Sequence, residues 1–305
     1  MNEAEQKLVE KLRSIFFRVA NPSDPGSFWP EILYHYTSAA GLFGIISTGK
    51  LWGSHYNYLN DASELAYGRE IALHVVREKL KADSTALGRS CLETVLDRLD
   101  AEAKVIDLYL TCFCQNPDLL SQWRGYGTAS GRFCLGFNIS GLISELNVGP
   151  IWGDEWIKKY SLGPVIYDEV RQREKVARAI DAAIETLAKG QANNNDFRGA
   201  ITDVLIRKLL REVCFFKNIG FKEEDEWRMV HFAPDASSVH FPPSTGLLKP
   251  FVDMIKAATV LPITEIIVGS SSFGPLAKKS ATLLLERYNY KGVEVRDTSI
   301  TFREL

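Results

Sequence analysis

Residues 31–64 read EILYHYTSAAGLFGIISTGKLWGSHYNYLNDASE. The stretch predicts a strand, a capped helix, a second strand, and an acidic turn into another helix. Ile32-Leu33-Tyr34 is an apolar run that ends on His35. Thr37 or Ser38 can cap the helix that follows, because a hydroxyl at that place accepts an unpaired N–H of the first turn. Leu42, Ile45 and Ile46 give this helix one apolar stripe, and Gly49 supplies the left-handed residue that ends it. Leu51-Trp52 opens the next extended segment. Asn60-Asp61 predicts the following cap, with Glu64 three residues beyond Asp61. His35, Tyr36, Thr37, His55, Tyr56, Asn60, Asp61 and Glu64 thus crowd beside short apolar elements. That density marks a candidate site and leaves its chemistry open.

Working outward, residues 3–19 carry Leu8, Leu12, Phe16 and Val19 on one helical face, and 21–30 form a Pro-rich loop. Downstream, helices are expected to about residue 81 and over 86–103. The β-rich run from Val105 to Cys114 predicts a buried central strand. Asp118 can cap a short helix bearing Leu119, Leu120 and Trp123, which dissolves into Gly125, Gly127 and Gly131. Arg132–Asn138 is a second strand, followed by a helix near 140–146, a Gly/Pro/Trp loop and an extended stretch over 157–167. Residues 168–217 read as a helical hairpin with a polar tip, an insertion or a lid. The alternating run after Glu226 predicts a strand, with short extended pieces near 238–241 and 248–255. Strand 263–268 turns through Gly269-Ser270-Ser271-Ser272 into a helix ending at Tyr288. Val293–Arg296 is extended, and the chain closes on Ser299–Arg303. Several strands lack a helical crossover, so the expectation is one α+β domain over 1–305 with a mixed, largely antiparallel sheet, peripheral helices and the hairpin inserted.

Lys and Arg number 36 against 38 Asp and Glu, so bulk charge demands neither a nucleic acid nor an anionic membrane. The five cysteines form no CxxC pair, which argues against structural zinc and for reduced, buried thiols. The polar N-terminus is no signal peptide, and no apolar run spans a bilayer. The expected setting is the cytoplasm.

Glu224 and Glu226 stand two apart at the head of a predicted strand, so they share a face. Paired carboxylates suit acid/base work or the stabilisation of an oxocarbenium ion; the same residues also read as a solvated acidic turn. His35 at a strand end reads as a ligand contact or a packing residue. In Gln122-Trp123-Arg124-Gly125-Tyr126-Gly127, Arg124 can hold a phosphate and Tyr126 can stack on a planar ring, or the segment is a turn with Trp123 in the core. The serines after Gly269 offer an anion site or a cap. Asn60, Asp61 and Glu64 are a metal set or first-turn acids.

The motifs YHYTS…LFGIISTGKLW…YLNDASE, CFCQNPDLLSQWRGYG…GRFCLGFN, FKEEDEWRMV and EIIVGSS…VEVRDTSITFR resemble, in order and spacing, the bacterial family known as domain of unknown function 2971. The likeness runs from about residue 31 to the end. More distantly, His-x-Thr on a first strand followed by a helix resembles the opening of ADP-ribosyltransferases. That resemblance implies an ADP-ribosyltransferase-like sheet and NAD as co-substrate, with no metal. It implies His35 as the NAD contact, supported by Thr37 beside Tyr36. Glu226 would be the catalytic carboxylate and Glu224 the first member of a Glu-x-Glu pair. Tyr126 or Tyr109 would stack on nicotinamide and Arg124 would meet a phosphate. Tyr36 departs from the glycine of the polymerase branch.

The implied function is cleavage of NAD, with ADP-ribose passed to a protein, a nucleic acid or water, in toxin or phage-defence biology. A second reading is a silent nucleotide-sensing or interaction module, with Glu226 tied to Arg228 and the 168–217 hairpin docking a protein partner. A third is a metal-dependent nuclease built on Asp61, Glu64 and the acids of 223–226.

Overall fold

The computed structural model describes residues 1–17, 29–59, 64–82, 85–126, 131–146, 161–190, 194–232, 236–241, 247–257, 259–271 and 273–300. In chain order the elements begin with α1 (Glu3–Phe16), β1 (Ile32–Ser38), α2 (Ala39–Thr48) and β2 (Lys50–His55). Helices α3 (Glu64–Ala82) and α4 (Ala86–Val105) lead to β3 (Leu108–Cys114), α5 (Leu120–Gly125), β4 (Arg132–Asn138) and α6 (Ile139–Glu145). Strand β5 (Ser161–Pro164) precedes α7 (Glu169–Lys189) and α8 (Asn195–Val213). A 3-10 segment, Ile219–Glu224, enters β6 (Glu226–Phe232). Then come β7 (Val239–His240), β8 (Phe251–Lys256), β9 (Ile263–Val268), α9 (Gly274–Arg287) and β10 (Glu294–Asp297).

The opening unit forms as its residues dictate. The Ser38 hydroxyl accepts from the Gly41 N–H at 3.2 Å, so Ser38 is the cap. Gly49 ends α2 at φ 63°, a conformation that costs a residue with a Cβ. Thr37 has a different task. A Cβ at Gly41 would sit 2.0 Å from its Oγ1, so glycine there lets the first turn of α2 close over Thr37.

The sheet runs β10-β9-β4-β1-β3-β2-β8-β7, with β5 and β6 branching from β3. Its pairs are antiparallel except β9 with β10. The fold is thus the α+β, largely antiparallel arrangement expected. Strand β6 occupies one edge of β3 along its whole length, Leu108↔Phe232 to Cys114↔Glu226. The opposite edge is shared. Strand β1 meets it at Tyr34↔Cys114, and β2 meets it at Ser54↔Leu110 and His55↔Tyr109. Between them, at Thr111–Phe113, the sheet is split.

Two cores result. One packs α2, α6 and α9 on the sheet through Leu33, Ile46, Leu142, Ile266 and Leu285. The other is a bundle of α1, α3, α4, α7 and α8, centred on Leu12, Val76, Leu99, Ile180 and Leu205. This corrects the hairpin reading. Residues 168–217 do form two helices, but α8 buries residues such as Phe197, Ile201, Leu205 and Leu209 against four neighbours. Their hydrophobic surface is held in the bundle core, so the pair is a packed part of the bundle and not a lid standing over the sheet.

Smaller expectations also change. Asp118 does not cap α5. Its carboxylate takes the Trp123 indole N–H at 2.6 Å and the Ser299 N–H at 2.7 Å, tying the helix to the segment after β10. Helix α9 starts from Phe273 without a side-chain cap; Ser271 Oγ instead accepts from the Phe273 N–H at 3.3 Å. The Asn60-Asp61 cap, Val19, Gly127, Ser272, most of the 21–30 loop, 147–160 and 301–303 lie outside the described residues. The five cysteines are free thiols. No described helix is long and apolar enough to cross a membrane.

Candidate functional site

A cavity of about 250 Å³ occupies the split. Its walls come from β1 (Tyr34 to Thr37), the start of α2, β2 (Trp52, Ser54), β3 (Leu110 to Cys114), Tyr126 after α5, and Glu224 and Glu226. The strand registers explain why the split matters. Tyr34, Cys114 and Glu226 are direct partners, so their side chains share one face. His35 and Phe113, one residue along, project to the other face, with their rings 5.9 Å apart. His35 and Glu226 therefore start on opposite faces and share a cavity only because the sheet opens between β1 and β2. A ligand touching both must enter the opening.

At the opening, side chains meet backbone carbonyls of β3 and β2. His35 Nδ1 lies 2.9 Å from the Cys112 carbonyl oxygen. A carbonyl only accepts, so Nδ1 carries the proton and Nε2 is the free acceptor. Burial lowers the His35 pKa, which keeps the ring neutral. Thr111 Oγ1 donates to the Trp52 carbonyl at 2.8 Å. Trp52 is itself fixed by stacking on Phe251 at 4.2 Å.

The carboxylates belong to a buried ionic cluster where the bundle meets the sheet. Glu226 is 6% exposed and takes both Arg228 Nε and Nη2 at 2.8 Å. Lys217 Nζ reaches Glu64 at 2.7 Å, Glu224 at 2.5 Å and Glu226 at 3.1 Å. Arg228 also pairs with Glu64 and donates to the Cys214 carbonyl at 2.8 Å. Burial alone would raise the Glu226 pKa. Arg228 and Lys217 outweigh it and hold the carboxyl at about 2. Glu224 goes the other way: burial pushes it up, and among the described residues Lys217 is the one cation paired with it. The two acids do not lie on one strand, contrary to the sequence reading. Asp225, at φ 42°, turns the chain between the 3-10 segment and β6, and Lys217 draws the carboxylates together.

The remaining candidates sort as follows. Tyr126 lines the cavity mouth, and burial with the charges of Glu226 and Glu224 raises its phenol pKa. Tyr36 borders the cavity, but its hydroxyl is engaged: it donates to the Asn116 carbonyl and accepts from the Leu119 N–H, both at 3.0 Å. Thr37 lines the wall beneath α2. Arg124 is exposed on α5 and does not line the cavity; the six-residue helix turns it outward while Trp123 goes to the core. Tyr109 is buried against His55, with rings 5.2 Å apart, and also stands off the cavity. Cys112 lines the cavity beside Glu226, where burial and that charge hold its thiol protonated. It offers no thiolate. The acids Glu64, Glu224 and Glu226 do converge, but around an ammonium and a guanidinium. Among the described residues no group of three His, Cys, Asp or Glu side chains is arranged for a metal ion.

Lys217 and Trp52 were not read as site residues. Lys217 had a signal: one lysine directly follows the apolar run Val213-Cys214-Phe215-Phe216, and a lysine so placed needs buried partners. Trp52 had none beyond its place on a short strand.

Residues 122–229 match the family described as Protein of unknown function (DUF2971). The matched segment includes Tyr126, Lys217, Glu224, Glu226 and Arg228, and leaves out His35 and Trp52. The family description carries no reaction. No curated protein and no solved structure matches the chain.

Proposed function

We propose that the cavity takes the nicotinamide end of NAD and that the protein is an ADP-ribosyltransferase-like enzyme. The observation that carries this reading is the convergence of His35, Tyr126, Glu224 and Glu226, from distant segments, on one cavity. The volume is below the roughly 300–1,000 Å³ of a typical small-molecule site, so one end of a dinucleotide fits and the phosphates stay outside. His35 Nε2 accepts from a ribose hydroxyl. In the reaction the C–N glycosidic bond breaks and its electron pair leaves with neutral nicotinamide. The ribosyl C1′ becomes cationic beside the carboxylate wall. A hydroxyl, a carboxylate or water then attacks C1′, and a hydroxyl or water attacker gives up its proton. Glu224, with its raised pKa, is the better proton acceptor; Glu226 supplies fixed negative charge. The acceptor is a macromolecule or water, and the context a toxin or a defence against phage.

The test is nicotinamide release from NAD, with and without cell extract. Wild type should release it, and Glu226→Gln should release it about 100-fold more slowly, the scale of losing one electrostatic stabiliser. No release by folded wild type under either condition would overturn the reading.

A second reading is favoured by one observation. Arg228 and Lys217 together place three donors on Glu226, and the Cys112 thiol adds a fourth. A carboxylate has about four acceptor positions, so Glu226 is filled without any ligand. On this reading the cavity senses a nucleotide and cleaves nothing. Calorimetry showing NAD binding without nicotinamide release would support it.

A further inference from the structure

We infer that the cavity is built for a monocation and that Glu224, not Glu226, is the group that pairs with it. Resting on the reading above, the site would then prefer the pyridinium form of a nicotinamide nucleoside to its neutral dihydro form.

Charge balance is the first reason. The cluster holds three carboxylates, Glu64, Glu224 and Glu226, against two cations, Lys217 and Arg228. One negative charge is left over in a region where charges are normally matched. Among the described lining residues there is no lysine or arginine, so the wall offers a bound phosphate nothing and a bound cation a partner.

The distribution of hydrogen bonds says which carboxylate has room. Glu226 is saturated, as above. Glu64 is shared between Lys217 and Arg228 and does not line the cavity. Glu224 does line it, and among the described residues its ionic contact is Lys217 alone. Burial raises its pKa, Lys217 opposes the rise, and the charges of Glu226 and Glu64 add to it.

The other walls suit a flat cation. Tyr126, Phe113 and Trp52 line the same space, and aromatic faces attract cations, more strongly where water is excluded. When the glycosidic bond breaks, the positive charge moves from the ring to the ribose within this space. The leftover negative charge is then matched before and after the step.

The test compares ligands that differ in charge and little in shape. Nicotinamide riboside, a cation, should bind wild-type protein about tenfold more tightly than dihydronicotinamide riboside, the scale of one partly desolvated charged contact. Glu224→Gln, with its fold checked by circular dichroism, should bring the ratio close to one. Benzamidinium against benzamide removes every nicotinamide-specific contact. A preference for benzamidinium with no riboside binding would support the charge inference and sink the NAD reading. Nicotinamide release without any cation preference would do the reverse. Equal binding of both members in both pairs, no binding by either cation, or a ratio unchanged in Glu224→Gln would overturn the inference.

Discussion

The protein buries two ionic clusters that look alike and are used differently. In the bundle, Glu212 is held by Lys208 at 2.5 Å and Lys175 at 3.1 Å. At the junction, Glu226 is held by Arg228 and Lys217. Burial pushes both carboxyls up, and in each case the paired cations bring them to about 2. The difference lies around them. Glu212 is enclosed by helices and has two cations to itself. Glu226 shares its cations with Glu64 and Glu224, and its cluster opens on the cavity. A perturbed pKa alone therefore marks burial with a partner; the cavity and the unmatched charge mark the candidate site.

The largest effect should come from breaking the junction. Arg228→Met leaves Lys217 alone against Glu226, Glu64 and Glu224 and should cost roughly 3–5 kcal/mol in urea unfolding, the range for removing one partner of a buried ion pair. Lys208→Met leaves Lys175 on Glu212 and should cost about 1–3 kcal/mol, nearer to the loss of one charged hydrogen bond. Equal losses would break the comparison by showing that Lys217 can take over the whole load, as Lys175 does.

Acid should then affect both clusters alike. Each carboxyl has a folded pKa depressed from 4.5 to about 2. A depressed pKa contributes stability that is present above 4.5 and is lost as pH falls toward 2, because the unfolded chain takes up the proton first. The contribution is on the order of 3 kcal/mol per group. Glu224 has the opposite sign, so its share falls as pH rises through the ordinary carboxylate range. Unfolding free energies measured from pH 6 to pH 2 should flatten for Glu212→Gln and for Glu226→Gln. Flattening in only one variant would show that one of these carboxylates does not carry the depressed pKa.

Two glycines sharpen the same contrast at lower energy. A Cβ at Gly68 would lie 2.5 Å from the Val213 carbonyl oxygen, where α3 crosses the end of α8. Backbone cannot swing aside, so Gly68→Ala should cost about 1–3 kcal/mol. At Gly41 the Cβ would meet the Thr37 side chain, which can rotate. The roughly 1 kcal/mol helix advantage of alanine offsets part of the clash. Gly41→Ala should thus change stability less, as read by thermal unfolding, and act mainly on ligand binding.

How far the sequence could be read follows the same division. The strand-helix-strand of 32–55, the buried β3 and the α+β class were legible, because apolar periodicity and the Ser38 and Gly49 caps are local. The use of 168–217 was not, since, α7 apart, the surfaces that bury α8 belong to α1, α3 and α4, far upstream in the sequence. Glu224 and Glu226 were legible as a pair but not their geometry: period-two spacing assumed one strand, and Asp225 breaks it. Arg124 and Tyr126 looked equivalent, yet a six-residue helix turns one out and leaves the other at the cavity. The split itself has no sequence signature. It exists because β1 and β2 each pair with only part of one edge of β3.

The smallest effect tests whether burial, rather than ionic contact, sets these energies. Lys79 in α3 reaches Asp181 in α7 at 2.5 Å, as short as the Lys208–Glu212 and Lys217–Glu224 contacts of the two clusters, and it too joins helices distant in sequence. But Asp181 is 59% exposed. Water screens the pair, and holding two long side chains in place costs entropy. Asp181→Asn should shift stability by about 0.5 kcal/mol or less, against several for Arg228→Met. Matched urea curves in 50 mM and 500 mM salt would carry the point further. The small Lys79–Asp181 contribution should vanish at high salt, while the Arg228 effect, shielded from ions by the bundle and the sheet, should persist. A large, salt-insensitive loss in Asp181→Asn would mean that contact distance alone decides, and the distinction between the clusters and the surface would fail.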